Sequence, residues 1–125
     1  MSIRKQAQTV FASAARTATV VSGVFSAEEA IASVFTIDVS AATATPSVVF
    51  SIEGKDPLSN TFYNIIDSVA ATTVGKAVIY VGINIVASAN VAANKMLPQE
   101  YRVTATHGDA DSITYSVGVV HMVQN

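Results

Sequence analysis

Apolar and polar residues alternate with period two in short runs along this chain, and each run stops at a cluster of turn residues. Phe35, Ile37 and Val39 alternate with Thr36, Asp38 and Ser40, and Val48, Phe50 and Ile52 repeat the pattern against Ser51 and Glu53. Tyr101, Val103 and Ala105 alternate with Arg102, Thr104 and Thr106, and Ile113, Tyr115, Val117 and Val119 share one face of a last run. Successive side chains of an extended chain point to opposite faces, so each run reads as a strand with one apolar and one wet side. Phe62 to Ile66 and Val78 to Val81 are shorter runs rich in β-branched or aromatic residues, and Arg16 to Val21 reads as a first strand.

The punctuation agrees with that reading. Gly54-Lys55-Asp56-Pro57-Leu58-Ser59-Asn60 stops one strand and reverses the chain, which predicts a hairpin with Phe62 to Ile66 as the return strand. Pro98 keeps the residue before it out of a helix, and His107-Gly108-Asp109-Ala110-Asp111 is a second turn cluster. The total is about seven strands spaced roughly every 10 to 15 residues, the pattern of an all-β antiparallel β-sandwich. Immunoglobulin-like and jelly-roll strand orders both fit.

Two places have helical character. Ser26-Ala27-Glu28-Glu29 has the form of a capping box, from which Ala30 to Ser33 would continue for a turn. Residues Gln6 to Ala15 are rich in Ala but short for an isolated helix, and residues 1–15 are expected to form an extended or partly helical N-terminal arm on a single sandwich domain of residues 16–125. Their Gln, Thr and Ser interruptions leave no uninterrupted apolar core for a secretory signal. The segment Ile83 to Ala93 alternates only weakly and is compatible with a strand or a loop.

Composition bears on function more than on fold. Of 125 residues, 50% are hydrophobic and 13% charged, against roughly a quarter charged in an average soluble domain. No apolar run is long enough to cross a membrane as a helix, so a membrane is not an expected partner. A chain with this little charge has a surface poorly guarded against other chains, which points to assembly with itself or a partner. With no cysteine, disulfides and thiolate metal sites are excluded. A net charge of −2 with seven scattered Lys and Arg offers no basic stripe, and nucleic acid is not an expected partner.

The residues that carry enzyme chemistry do not converge in sequence. Asp109 and Asp111 beside His107 resemble a cation site, but Gly-Asp-Ala-Asp between two strands is ordinary turn chemistry, with Asp side chains bonding to backbone amides. His121 reads as an exposed or satisfied histidine near the end of the last strand. Asp38, Glu53, Asp56 and Asp67 fall at solvent-facing or turn positions. Tyr63, Tyr80, Tyr101 and Tyr115, with Phe50 and Phe62, fit core packing better than a sugar platform. No nucleophile elbow, phosphate loop or dinucleotide fingerprint is present. The expectation is a protein that is not an enzyme, with no metal and no cofactor.

Two blocks carry a family pattern. Ile37 to Ala41, Ser51-Ile52-Glu53-Gly54-Lys55-Asp56-Pro57-Leu58-Ser59, Tyr63 and Ile65 form the first. Leu97-Pro98, Arg102-Val103 and His107 to Gly118, including Asp111-Ser112-Ile113-Thr114-Tyr115-Ser116-Val117, form the second. Together, over about two thirds of the chain, they resemble a small protein encoded among the structural genes of long-tailed bacteriophages. The resemblance implies a virion protein, a capsid decoration (cement) protein on the outside of the major capsid shell, made in the bacterial host cytoplasm and bridging shell subunits as a homo-oligomer such as a trimer. Arg4 and Lys5, meeting acidic shell surface, and Val10 and Phe11, as an apolar anchor, are the candidate contacts of the arm; deleting residues 2–15 is then expected to abolish binding and leave the sandwich folded. A tail or neck component, or a glycan-binding sandwich working through its Asp56 to Asn60 or His107 to Asp111 loops, are the alternatives.

Overall fold

The computed structural model describes residues 2–27 and 30–124. Ten strands occur in the order β1 (Ile3–Arg16), β2 (Val20–Val21), β3 (Phe25–Ser26), β4 (Ala30–Ala42), β5 (Val48–Lys55), β6 (Phe62–Asp67), β7 (Gly75–Gly82), β8 (Ala92–Asn94), β9 (Glu100–His107) and β10 (Ile113–Gln124). They form two sheets packed face to face. One sheet has the order β1-β10-β4-β7-β8, and the other β2-β9-β5-β6 with β3 also on β9. All pairings are antiparallel except β7 with β8. The β-sandwich expected from the alternation is therefore present, with the strand order that alternation leaves open now fixed.

The alternating apolar residues supply the core. Phe35, Ile37 and Val39 of β4, Val117 and Val119 of β10, and Ile79 and Val81 of β7 point inward from the first sheet. Phe50, Ile52, Tyr101, Val103 and Ala105 face them from β5 and β9. Tyr115 meets Phe50 edge to face at 4.8 Å between ring centroids, and Tyr101 meets Phe35 in the same manner at 5.8 Å. The predicted hairpin joins β5 and β6, with Lys55 opposite Phe62. Its loop is held by Asp56, which accepts from the Leu58 amide at 3.0 Å and the Ser59 hydroxyl at 2.8 Å. Those bonds stabilise the ionised carboxyl and draw its pKa below the ordinary value.

The N-terminal third differs from the sequence expectation. Residues 3–16 are no arm attached to a finished sandwich, because β1 pairs along its length with β10. Two bulges, between Thr9 and Phe11 and between Phe11 and Ala14, re-aim the strand. As a result Val10 and Phe11 are both buried, at 8% and 6% exposure. Phe11 lies against Tyr115 with centroids 6.1 Å apart, under the Arg16 guanidinium. Val10 and Phe11 thus anchor the chain to its own core and are not available to a neighbour. Arg16 closes this strand rather than opening the next; it donates to the carbonyls of Ala12, Ala14 and Tyr115.

The helical turn expected after Ser26 is also replaced. Ala30 to Ser33 begin β4, where pairing with β7 and β10 outweighs the weak helical tendency of so short a segment. Glu28 and Glu29 of the capping box lie outside the described residues. The undecided stretch after β7 is mostly loop and ends in β8. Asn84 and Asn90 adopt left-handed backbone with φ of 62° and 63°, a conformation Asn tolerates better than most residues.

Candidate docking face

The two outer faces of the sandwich are chemically opposite. On the β9-β5-β6 sheet, the outward residues satisfy one another. Glu53 accepts from Arg102 Nε at 2.8 Å and from the Thr104 hydroxyl at 2.8 Å, and the Arg102 guanidinium lies 3.7 Å from the Phe62 ring centroid. Lys55 and Glu100 are 3.6 Å apart beside this network. The edge of this sheet is tied down as well, since Lys95 Nζ donates to the Ile65 carbonyl and Asn90 Nδ2 to that of Asp67. This is a finished, water-facing surface.

The outer face of the β1-β10-β4-β7 sheet is different. Strand register sets Ala7, Val120, Val34 and Tyr80 side by side across four strands. The adjacent row is Lys5, Met122, Ala32 and Gly82, and a further row holds Thr9, Gly118, Thr36 and Val78. Tyr80 is 48% exposed and Met122 37%. Exposed Ile83 and Val86 continue the apolar surface into the loop beyond β7. Apart from Lys5 on the edge strand, charge on this face lies at the other end, where Asp38 and Lys76 oppose each other in register and pair at 3.6 Å.

At the apolar end the face is a groove rather than a plane. Short side chains of Ala32, Val34 and Val120 form its floor, while Tyr80, Ile85, Met122 and Lys5 stand higher around it and enclose about 200 Å³. Ser33 also lines it, but its hydroxyl is engaged at 2.6 Å by His121 Nδ1 in the core. Lys5 makes no ion pair with any described residue.

Of the four contact residues expected from sequence, Arg4 and Lys5 are exposed on β1, opposite Val123 and Met122, whereas Val10 and Phe11 are core. The residues missed are Ala32, Val34, Tyr80, Val120 and Met122. Their signal was present in the runs Ala30-Ile31-Ala32-Ser33-Val34, Val78-Ile79-Tyr80-Val81 and Val119-Val120-His121-Met122-Val123, which are nearly continuous rather than alternating. Continuous apolar strands are those covered on both sides, and within one chain these are covered on one.

The remaining candidates are structural. Asp109 Oδ1 accepts the Asp111 amide at 3.0 Å and Asp111 Oδ2 accepts that of Thr45 at 3.1 Å, the turn chemistry expected. His107 Nε2 lies 3.0 Å from the Tyr115 hydroxyl. No group of three or more metal-ligating side chains converges among the described residues. His121 is buried and satisfied rather than exposed, between Ser33 and the Tyr101 hydroxyl. The tyrosines divide: Tyr101 and Tyr115 are core with Phe50, while Tyr63 and Tyr80 are half exposed.

No protein-family model and no curated protein matches this sequence. Among solved structures, the fold is similar to a chain from work on Bacillus endospore appendages, described as a novel family of disulfide-linked pili, with a TM-score of 0.54 at 11% identity over 98% of this chain and 90% of that one. At that identity the similarity is one of fold.

Proposed function

We propose that this chain is a structural subunit of a bacteriophage virion, a capsid decoration protein that covers part of the outside of the major capsid shell as a homo-oligomer and bridges shell subunits. The observation that carries the reading is the contrast between its outer faces: one saturated with its own ion pair and hydroxyls, the other apolar across four strands with its charge confined to the margins. The sequence blocks that resemble phage structural proteins supply the partner. The mechanism is thermodynamic. A protein that binds only the assembled lattice stabilises it by mass action, and sites repeated over a closed shell reinforce one another.

The test is co-sedimentation of the purified chain with expanded shells of the major capsid protein of the phage that encodes it, followed by reconstruction of the decorated particles. The reading expects saturable binding and density outside the shell across subunit boundaries, both lost with Tyr80→Glu. Density on the tail or neck of virions, or no binding to shells, would overturn it; hits on a glycan array without shell binding would favour the sugar-binding alternative.

A second reading is a fibre subunit. It is favoured by β1, which is 14 residues long and lies at the edge of its sheet, an arrangement open to strand addition. The similar chain comes from pili described as disulfide-linked; this chain has no cysteine, so a polymer of it would depend on pairing and packing alone. Filaments in concentrated protein by electron microscopy, lost with Gln6→Pro, would favour this reading.

A further inference from the structure

We propose that the groove bounded by Lys5 and Tyr80 is a socket for one large apolar side chain of the shell protein, carried beside a carboxylate that pairs with Lys5. The inference rests on the decoration reading and gives that face a specific partner chemistry.

Size, polarity and charge point the same way. A volume of about 200 Å³ exceeds the roughly 150 Å³ of an apolar cavity that takes up benzene, so a Phe or Leu side chain fits. Water in the groove finds few partners, because Ala32, Val34, Val120, Ile85 and Met122 offer no polar side-chain group beyond a thioether and the Ser33 hydroxyl is already bonded to His121. Such weakly held water is readily displaced by an apolar group. Among the described residues Lys5 is the only charged one lining the groove, and it forms no ion pair with any of them. Docking over it removes its ammonium from water, an uncompensated loss unless the incoming segment brings a negative charge. Tyr80 on the opposite wall supplies an aromatic surface for the same side chain.

The geometry also limits what else fits. The groove is framed by strands whose inward residues Ile79, Val81, Phe35 and Val119 are fully packed, so the occupant stays shallow. A basic segment would meet Lys5 with like charge, and an entirely polar one would leave the floor wet.

The experiment uses the purified full-length chain and two probes: anilinonaphthalene sulfonate, which joins aromatic rings to an anion, and expanded shells of the major capsid protein. Val34→Phe and Ala32→Leu fill the socket from its half-buried floor, Lys5→Glu reverses its charge, and Lys5→Arg keeps it; circular dichroism and thermal melts establish that each is folded. The expected result is dye fluorescence and shell binding that fall together, by about tenfold or more in affinity, in both filled variants and in Lys5→Glu, with Lys5→Arg close to the parent and Leu58→Ser, in the hairpin loop of the other sheet, unchanged. Filled and charge-reversed variants that decorate shells as well as the parent would overturn the socket and leave the decoration reading standing. A parent chain that binds dye but no shells would instead remove the decoration reading, and this inference with it.

Discussion

Tyr101 of β9 and His121 of β10 form a hydrogen-bonded pair across the interior of the sandwich, with the hydroxyl 3.0 Å from Nε2. Six residues earlier on β10, Tyr115 makes the reciprocal contact with His107 of β9, again at 3.0 Å. Each sheet therefore contributes one tyrosine and one histidine, and the two bridges stand about 20 Å apart along β10. Both tyrosine rings are fully buried, and burial raises the pKa of both hydroxyls. A neutral imidazole at His121 satisfies two hydroxyls, Ser33 and Tyr101, as donor to one and acceptor from the other.

That arrangement makes stability depend on pH. Burial lowers the pKa of His121 below 6.5, and burial also lowers that of His107, assisted by Arg16 and opposed by Asp109. The unfolded chain then binds more protons than the folded one just below pH 6.5, so the contribution is complete above that value and shrinks as pH falls below it. Urea midpoints measured from about pH 7.5 to about pH 5 should be level at first and then decline, by up to about 1.4 kcal/mol per pH unit for each histidine. His121→Gln should lower stability at neutral pH and flatten the decline.

Phe11 is expected to behave as a core residue. Phe11→Ala should cost about 3 to 5 kcal/mol by removing a buried ring from Tyr115 and Arg16. Deleting residues 2–15 should strip β10 of its partner on one side, expose the core that Val10 and Phe11 cover, and prevent folding, read as a lost cooperative melt. A truncated chain that melts like the parent would restore the separate arm.

Gly54 is tied to its position by close approach. A Cβ there would lie 2.6 Å from Pro98 Cγ and 2.7 Å from Tyr63 Cζ. Gly54→Ala should therefore lower stability by about 1 to 3 kcal/mol. Adding Tyr63→Ala should recover only part of it, because Tyr63 is half exposed and can swing away while the Pro98 ring is held in the chain. Full recovery in a chemical denaturation series would mean that Pro98 yields freely.

The two outer faces should respond differently to mutation. Arg102→Ala removes the half-buried pair with Glu53 and the stacking on Phe62, which should cost about 1 to 2 kcal/mol and leave shell binding unchanged once the variant is kept below its melting temperature. Tyr80→Glu should do the reverse, with a melt close to the parent and binding reduced by about tenfold or more. Equal loss of shell binding in both variants would show that the faces are not distinct.

The alternating strands were legible in sequence because burial of one side and hydration of the other imprint a period of two on the residues. Phe35 to Ser40, Val48 to Glu53 and Tyr101 to Thr106 lie on strands with the expected faces inward. The hairpin at Gly54 to Asn60 was equally legible, since Asp56 acts within its own loop. Val10 and Phe11 were not, because two bulges decide their direction and bulges arise from pairing with β10. The docking groove was hidden for a related reason: its floor and walls come from residues as distant as Lys5, Val34, Tyr80 and Val120.

Sequence alone establishes that the chain is built of strands, where most of them begin and end, which residues fill much of the core, and that little charge is available to cover the outside. Those are local properties, set by side-chain periodicity, turn chemistry and composition. Tertiary packing alone sets which strands are neighbours, that the first fourteen-residue strand completes the sandwich, and that the uncovered apolar residues gather on one outer face beside a lysine that pairs with no described residue. Register between strands far apart in the chain fixes those relationships, and register is a property of the packed sheets rather than of any one segment.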